Sequence, residues 1–195
     1  MFSHENSLAV GPVRCAWRPH RHGTPAEALV RPWLAAALGA PADTLPLQRD
    51  PHGRPRLGAP FGGFDASWSH SGDHLLVALA DGVQLGADLE LLRPRPRALA
   101  LADRFFTAAE AAALAILPTA TLEEIFVRLW CAKEAVLKAH GRGIAFGLDR
   151  LEFAERDGTW SLVACDPALG RPTDWTLHAF APMPGYLATL AWRAL

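Results

Sequence analysis

Apolar positions along residues 125–139 recur at helical spacing: Ile125, Leu129, Ala132, Val136 and Ala139 form one stripe. At about 100° per residue, Glu134 points roughly opposite that stripe, with Trp130 and Lys138 beside it. A carboxylate and an ammonium one turn apart are therefore expected to project away from the core on one face. Gly141 and Gly143 end this helix, because glycine adopts the left-handed cap cheaply. A first helix is predicted over 25–38, with Thr24 as N-cap, Pro25 at the first position and Glu27 at the third, closed at Gly39. Two shorter helices are predicted at 99–106 and 108–117, the second with a capping box between Thr107 and Glu110.

The remaining pattern is that of strands. Residues 45–58 read as a short strand, a turn at 50–53 and a second extended piece. Residues 64–80 read as two strands about a turn at 69–73, the second buried over 75–79. In the strand at 83–89, Leu85, Ala87 and Leu89 share one face, and Asp88 and Glu90 the other. After 144 the chain is mostly β, at 151–154, 160–164, 176–180 and 186–192. Both halves run from helix into antiparallel strands. The predicted class is α+β: two similar lobes, 1–82 and 83–195, each with a helix on a small antiparallel sheet and the active cleft between them.

Composition narrows the classes. The chain has 195 residues, half of them apolar and a fifth charged, with a net charge of −1. A near-neutral chain has no global basic field, which excludes nucleic acid as the expected partner. Three cysteines without CxxC or Cys/His spacing point to a reducing cytoplasm. No leader pattern and no 18-residue apolar run are visible, so neither export nor a membrane span is expected. Arg14, Arg18, His20, Arg21 and His22 make a local basic cluster, which reads as an exposed loop or, alternatively, an anion site. Arg93, Arg95 and Arg97 alternate with prolines in a stiff surface connection.

Candidate chemistry gathers around Asp88 and Glu90, about 7 Å apart along one strand face. Such a pair repels unless a cation lies between, and a hard divalent ion such as Mg²⁺ prefers oxygen ligands. Taken alone, a D-x-E pair is a common surface feature, and Glu134 with Lys138 is a solvated i,i+4 pair.

Five motifs in order change that weighting. G-R-P at 53–55, W-S-H-S at 68–71, G-x-D-x-E at 86–90, F-x-x-x-E at 106–110 and W-x-x-K-E-x-x-x-K at 130–138 together resemble the 4′-phosphopantetheinyl transferases, best the single-chain, two-lobed Sfp type. The resemblance implies transfer of the phosphopantetheine arm of coenzyme A to a serine of an acyl- or peptidyl-carrier protein, with adenosine 3′,5′-bisphosphate released. It implies Asp88, Glu90 and Glu134 as Mg²⁺ ligands, Mn²⁺ being accepted by the same oxygen set. Lys138 would contact the transferred or leaving phosphate, and Glu134 would be the base for the carrier serine. Arg54, Ser69, His70 and Lys138 would hold the CoA phosphates, with His22 and Thr24 at the nucleotide end. Residues 106–117 would contribute to the carrier surface, and the 93–97 arginines would steer an acidic carrier. A cytoplasmic monomer is implied. The rival readings are a non-catalytic CoA- or carrier-binding module of the same fold and a Mg²⁺-dependent nuclease.

Overall fold

The computed structural model describes residues 6–21, 23–157 and 159–195. A hairpin, β1 (Ser7–Val10) and β2 (Val13–Pro19), leads into α1 (Ala26–Leu38) and a small hairpin, β3 (Leu47–Arg49) and β4 (Pro55–Leu57). Three long strands follow, β5 (Phe64–Ser71), β6 (His74–Asp81) and β7 (Val83–Leu91). Then come α2 (Ala98–Phe105), α3 (Ala108–Ala115), α4 (Thr119–His140), β8 (Leu151–Arg156), β9 (Thr159–Cys165), β10 (Thr176–Phe180) and β11 (Tyr186–Ala194). The fold class is α+β, and the paired strands are antiparallel.

Two sheets carry the structure, ordered β1-β2-β6-β5 and β10-β11-β7. Their topologies correspond. In each, the strand before the main helix (β2 before α1, β7 before the α2–α4 run) pairs with the last strand of its half. That last strand pairs in turn with the one before it, and a separate small hairpin interrupts the path.

Alternation along β6 explains the layering. Leu75, Val77 and Leu79 pack with Val30 and Leu34 of α1, while Leu76, Ala78 and Ala80 pack against Leu85, Ala87 and Leu89 of β7 and Leu190 of β11. The two sheets thus share one core between them. Below the second sheet lies α4, whose Val136 and Ala139 join Leu187 and Ala191 in a third core. The descent of α4 onto β7 depends on Gly86. A Cβ there would stand 1.8 Å from the carbonyl oxygen of Ala135.

Several elements differ from the sequence expectation. The basic stretch at 14–18 is strand β2, not a loop, because Val13, Cys15 and Trp17 face the core shared by the two sheets while Ala16 on the opposite face joins the core under α1. The turn between β5 and β6 is only Gly72 and Asp73, so Ser69, His70 and Ser71 are strand residues. Helix α1 takes Pro25 as its N-cap with no side-chain cap bond. Glu27 pairs instead with Arg31 one turn on, at 2.8 Å. The Thr107–Glu110 capping box is formed. Helix α4 is enclosed on more sides than one stripe would allow, and Glu134 and Lys138 face protein and not open solvent: their side chains keep 14% and 27% exposure.

Candidate active site

Three elements converge on one point. From β7, the face that carries Gly86 also carries Asp88 and Glu90, so the close approach licensed by Gly86 lays α4 over both carboxylates. From α4 come Glu134 and Lys138. From β5, strand alternation turns Asp65, Ser67, Ser69 and Ser71 toward β7, an edge strand of its own sheet. Three of these side chains stand in for a backbone ladder. Asp65 Oδ2 accepts from the Leu85 N–H at 2.7 Å, Ser67 Oγ from the Ala87 N–H at 3.0 Å and Ser71 Oγ from the Leu91 N–H at 3.0 Å.

Ser69 goes to the carboxylate instead. Its Oγ donates to Asp88 Oδ1 at 2.7 Å and accepts from Lys138 Nζ at 2.9 Å. Lys138 Nζ also lies 2.6 Å from Asp88 Oδ1 and 3.7 Å from Glu134 Oε2. Ser71 Oγ donates to Glu90 Oε2 at 3.3 Å, and Arg95 Nη2 donates to the same oxygen at 2.8 Å.

The electrostatics follow from crowding acids in a buried place. Burial foremost, then the charge of Asp88, raises the Glu134 carboxyl to about 7, against the pull of Lys138. Glu90 is raised for the same two reasons, burial first and Asp88 second, with Arg95 opposing. Burial works against the Lys138 ammonium, but Asp88 and Glu134 outweigh it and hold its pKa above the ordinary value. The Oδ2 atom of Asp88 is buried and has no hydrogen-bond partner among the described residues. Among the described residues, no three His, Cys, Asp or Glu side chains are grouped closely enough to hold a metal ion. The donor chemistry nevertheless fits a hard cation: an orphaned carboxylate oxygen stands beside two carboxyls whose charge the surroundings disfavour.

A family model for the 4′-phosphopantetheinyl transferase superfamily matches residues 84–191, more than half of the chain. The chain belongs to this superfamily. Among its relatives is the 4′-phosphopantetheinyl transferase HetI of Nostoc sp., 34% identical over 174 residues, covering 88% of this chain and 70% of HetI. The 4′-phosphopantetheinyl transferase psf-1 of Bacillus pumilus is 34% identical over 122 residues, 63% of this chain and 51% of psf-1. The human L-aminoadipate-semialdehyde dehydrogenase-phosphopantetheinyl transferase is 30% identical over 135 residues, 64% of this chain and 44% of the relative. The chain thus spans only about half the length of the last two.

Within this phosphopantetheinyl transferase fold, the structure brings Ser69, Asp88, Glu90, Glu134 and Lys138 together. His70 points to the other face of β5, is exposed, and stacks on His20 with ring centroids 5.0 Å apart. The carbonyl of exposed Thr24 is 2.9 Å from His20 Nε2, so Thr24 and His70 flank the same histidine. His22 lies outside the described residues. Arg54 is only 6% exposed and turns its guanidinium to the carbonyls of Lys138, Ala139 and Leu85 and to Asp65. It borders a cavity of about 210 Å³ lined also by Arg49, His52, Trp68 and Lys138.

Some motif residues serve the frame. Glu110 and Lys133 form a fully buried ion pair at 2.7 Å. Glu110 also accepts from the Thr107 and Phe153 N–H groups at 2.9 and 2.8 Å, and Lys133 Nζ donates to the Leu148 carbonyl at 2.8 Å and to that of Leu151. Phe106 is buried and stacks on Phe126. So Phe106 and Glu110 belong to the interior rather than to a carrier surface, whereas Ile116 beyond them is 85% exposed. Arg95, read as a free basic linker residue, is held by Glu90, and its N–H donates to Glu123 at 2.8 Å. Sequence reasoning misses Asp65 and Ser67, gives no role to Ser71 and Lys133 inside their motifs, and assigns Arg95 to carrier steering and not to Glu90. The signal for Lys133 was its place four residues after Leu129 and three before Val136, on an otherwise apolar face.

Proposed function

We propose that this chain transfers the 4′-phosphopantetheine moiety of coenzyme A to a serine of an acyl- or peptidyl-carrier protein, releasing adenosine 3′,5′-bisphosphate. The observation that carries this is the constellation of Asp88, Glu134, Lys138 and Ser69 on a buried polar floor where β5, β7 and α4 meet. In the transfer, the serine oxygen bonds to the phosphorus that bears the pantetheine arm. The bond from that phosphorus to the bridging pyrophosphate oxygen breaks, and the leaving bisphosphate keeps its electron pair. Glu134 accepts the serine proton, directly or through water. Lys138 offsets charge on the transferred or leaving phosphate, at the point where Ser69 and Asp88 hold its ammonium.

Asp88, Glu90 and Glu134 would hold Mg²⁺, or Mn²⁺ on the same oxygen set, and that ion would polarise the pyrophosphate. Ser69, His70 and Lys138 are the candidate contacts for the CoA phosphates, with Thr24 and His22 toward the nucleotide end. Arg54 borders the same cavity as Lys138 but gives its guanidinium to the end of α4 and to Asp65. The division into lobes at 82/83 follows the change of sheet after β6. Among the described residues no helix is long and apolar enough to cross a membrane. We place the protein in the cytoplasm as a monomer without nucleic-acid partners.

The test is intact-mass spectrometry of apo acyl- and peptidyl-carrier proteins incubated with the protein, CoA and Mg²⁺, beside Glu134→Ala and metal-free controls. A gain of one phosphopantetheine arm, lost in both controls, is the expected result. CoA binding without transfer to either carrier would favour the non-catalytic module.

A further inference from the structure

We propose that Arg54 and Asp65 form a buried clamp that positions Lys138, so that Arg54 serves the reaction through the end of α4 and not as a ligand of a CoA phosphate. The inference rests on the transfer reaction proposed above.

The geometry begins with the end of the helix. The last carbonyls of an α-helix lack intrahelical partners and must find others. In α4 the Gly141 N–H takes the Leu137 carbonyl at 3.0 Å. The next two, of Lys138 and Ala139, are taken by the Arg54 guanidinium. A cation at this end also complements the helix dipole. Gly141 makes room for it: its φ is +98°, and a Cβ there would stand 3.2 Å from Arg54 Cδ. The residue whose carbonyl Arg54 grips is Lys138 itself, the ammonium that meets Asp88 and Ser69.

The other side of the fork is anchored as firmly. Arg54 Nη2 reaches Asp65, and it donates to the Leu85 carbonyl at 3.2 Å. Asp65 Oδ2 accepts from the Leu85 N–H at 2.7 Å, so the pair also fixes the start of β7, one residue before Gly86. The turn that presents Arg54 is itself locked, since Asp50 Oδ1 accepts from the N–H groups of His52 and Arg54 at 2.9 and 3.0 Å. One side chain from the first half of the chain thereby sets where the catalytic strand and the catalytic helix lie relative to each other. A phosphate ligand would need an accessible guanidinium. Arg54 is almost fully buried, whereas the Arg49 side chain at the same cavity is 50% exposed.

The experiment compares Arg54→Met, Arg54→Lys and Asp65→Asn with the parent protein, all below their melting temperatures. It measures steady-state transfer from CoA and from 3′-dephospho-CoA, and hydrogen exchange of the amides at 138–143. The clamp predicts a fall in kcat of roughly 10- to 100-fold in Arg54→Met and Asp65→Asn, the size of loss expected when a catalytic group is displaced by about 1 Å. The KM for CoA should change far less than kcat, because Lys138 alone among the proposed phosphate contacts is displaced while Ser69 and His70 stay in place. Both donors should lose rate by the same factor, exchange at 138–143 should quicken, and Arg54→Lys should recover part of kcat. A rise of about tenfold in the KM for CoA in Arg54→Met, with lost discrimination against 3′-dephospho-CoA and unchanged exchange, would overturn the clamp in favour of a phosphate ligand. Unchanged kcat in Asp65→Asn would overturn it as well. If Arg54→Met does not fold, Asp65→Asn and Arg54→Lys carry the same comparison. If the parent transfers to no carrier, the transfer reading fails, and the exchange measurement still decides whether Arg54 holds the end of α4.

Discussion

Lys138 Nζ lies 2.6 Å from Asp88 Oδ1, and Ser69 bridges the two by accepting from one and donating to the other. The ammonium is therefore held at one place before any substrate arrives. Replacing Lys138 by Met should lower kcat by roughly 10²–10³, the cost of removing one preorganised charge from a developing phosphate. Ser69→Ala should cost less, because Asp88 still holds the ammonium. Single-turnover transfer to a carrier protein, followed by mass, checks both values. Equal losses in the two variants would mean that Ser69 acts on the substrate and not through Lys138.

Gly86 is a packing device, and its replacement tests whether close contact of α4 with β7 builds the site. A Cβ at this position would stand 1.8 Å from the Ala135 carbonyl oxygen and 2.6 Å from the Ala139 nitrogen, both backbone atoms that cannot swing aside. Gly86→Ala must push the helix off the strand. We expect a loss of about 2–4 kcal/mol by chemical denaturation, at or above the upper range for overpacking. Transfer activity should fall further than stability alone explains, since Glu134 and Lys138 travel with the helix. A variant as stable as the parent would show that the contact is not close in solution.

How much of this was legible in the sequence varies by residue. Local alternation showed that Asp88 and Glu90 share a face, and helical spacing put Glu134 and Lys138 one turn apart. Neither period says which neighbour that face meets. A solvated pair is what the helix spacing suggests taken alone, and the five motifs argue against it; α4 packs on β7 and β11, and Lys138 meets Ser69 of β5. Ser69 and Ser71 read as turn residues from local composition, because hydroxyls favour turns. Here they line an edge strand because β7 offers unpaired N–H groups across from them, a long-range fact. The G-R-P motif at 53–55 makes Arg54 a CoA-phosphate ligand by resemblance alone, and a motif does not say what the guanidinium meets. What it meets is the end of a helix 84 residues away in sequence, between Arg54 and Lys138.

The Glu110–Lys133 pair is sealed from solvent, at 2.7 Å with both side chains fully buried. Breaking such a pair by removing one partner should cost about 3–5 kcal/mol, because the other charge is left without a counter-ion. Lys133→Met leaves Glu110 with the Thr107 and Phe153 N–H groups only. Glu110→Gln leaves Lys133 with the carbonyls of Leu148 and Leu151 and the rings of Phe106 and Phe153. The double replacement should cost clearly less than the sum of the singles. A double-mutant cycle from denaturant midpoints measures this coupling. Additive losses would show that the two charges act independently.

The metal-free protein should lose stability as pH rises from 5 to 8. Burial and the neighbouring Asp88 raise the Glu134 carboxyl to about 7 in the folded state, whereas the unfolded chain titrates near its ordinary value of 4.5. Below that ordinary value both states hold the proton, and Glu134 contributes no pH dependence. Between the two values the unfolded state gives up its proton while the folded state keeps it, so rising pH favours unfolding. The full penalty, reached once pH passes about 7, amounts to roughly 2–4 kcal/mol. Thermal melting in chelator at pH 5, 6.5 and 8 reads this slope. Glu134→Gln should flatten it, because an amide carries no titrating proton and no charge in the buried pocket. Added Mg²⁺ should flatten it too if Asp88, Glu90 and Glu134 take up the ion, since a bound dication reverses the penalty on their charges. A slope identical in parent and Glu134→Gln would assign the effect to other groups and remove Glu134 as a carboxyl poised near neutral pH.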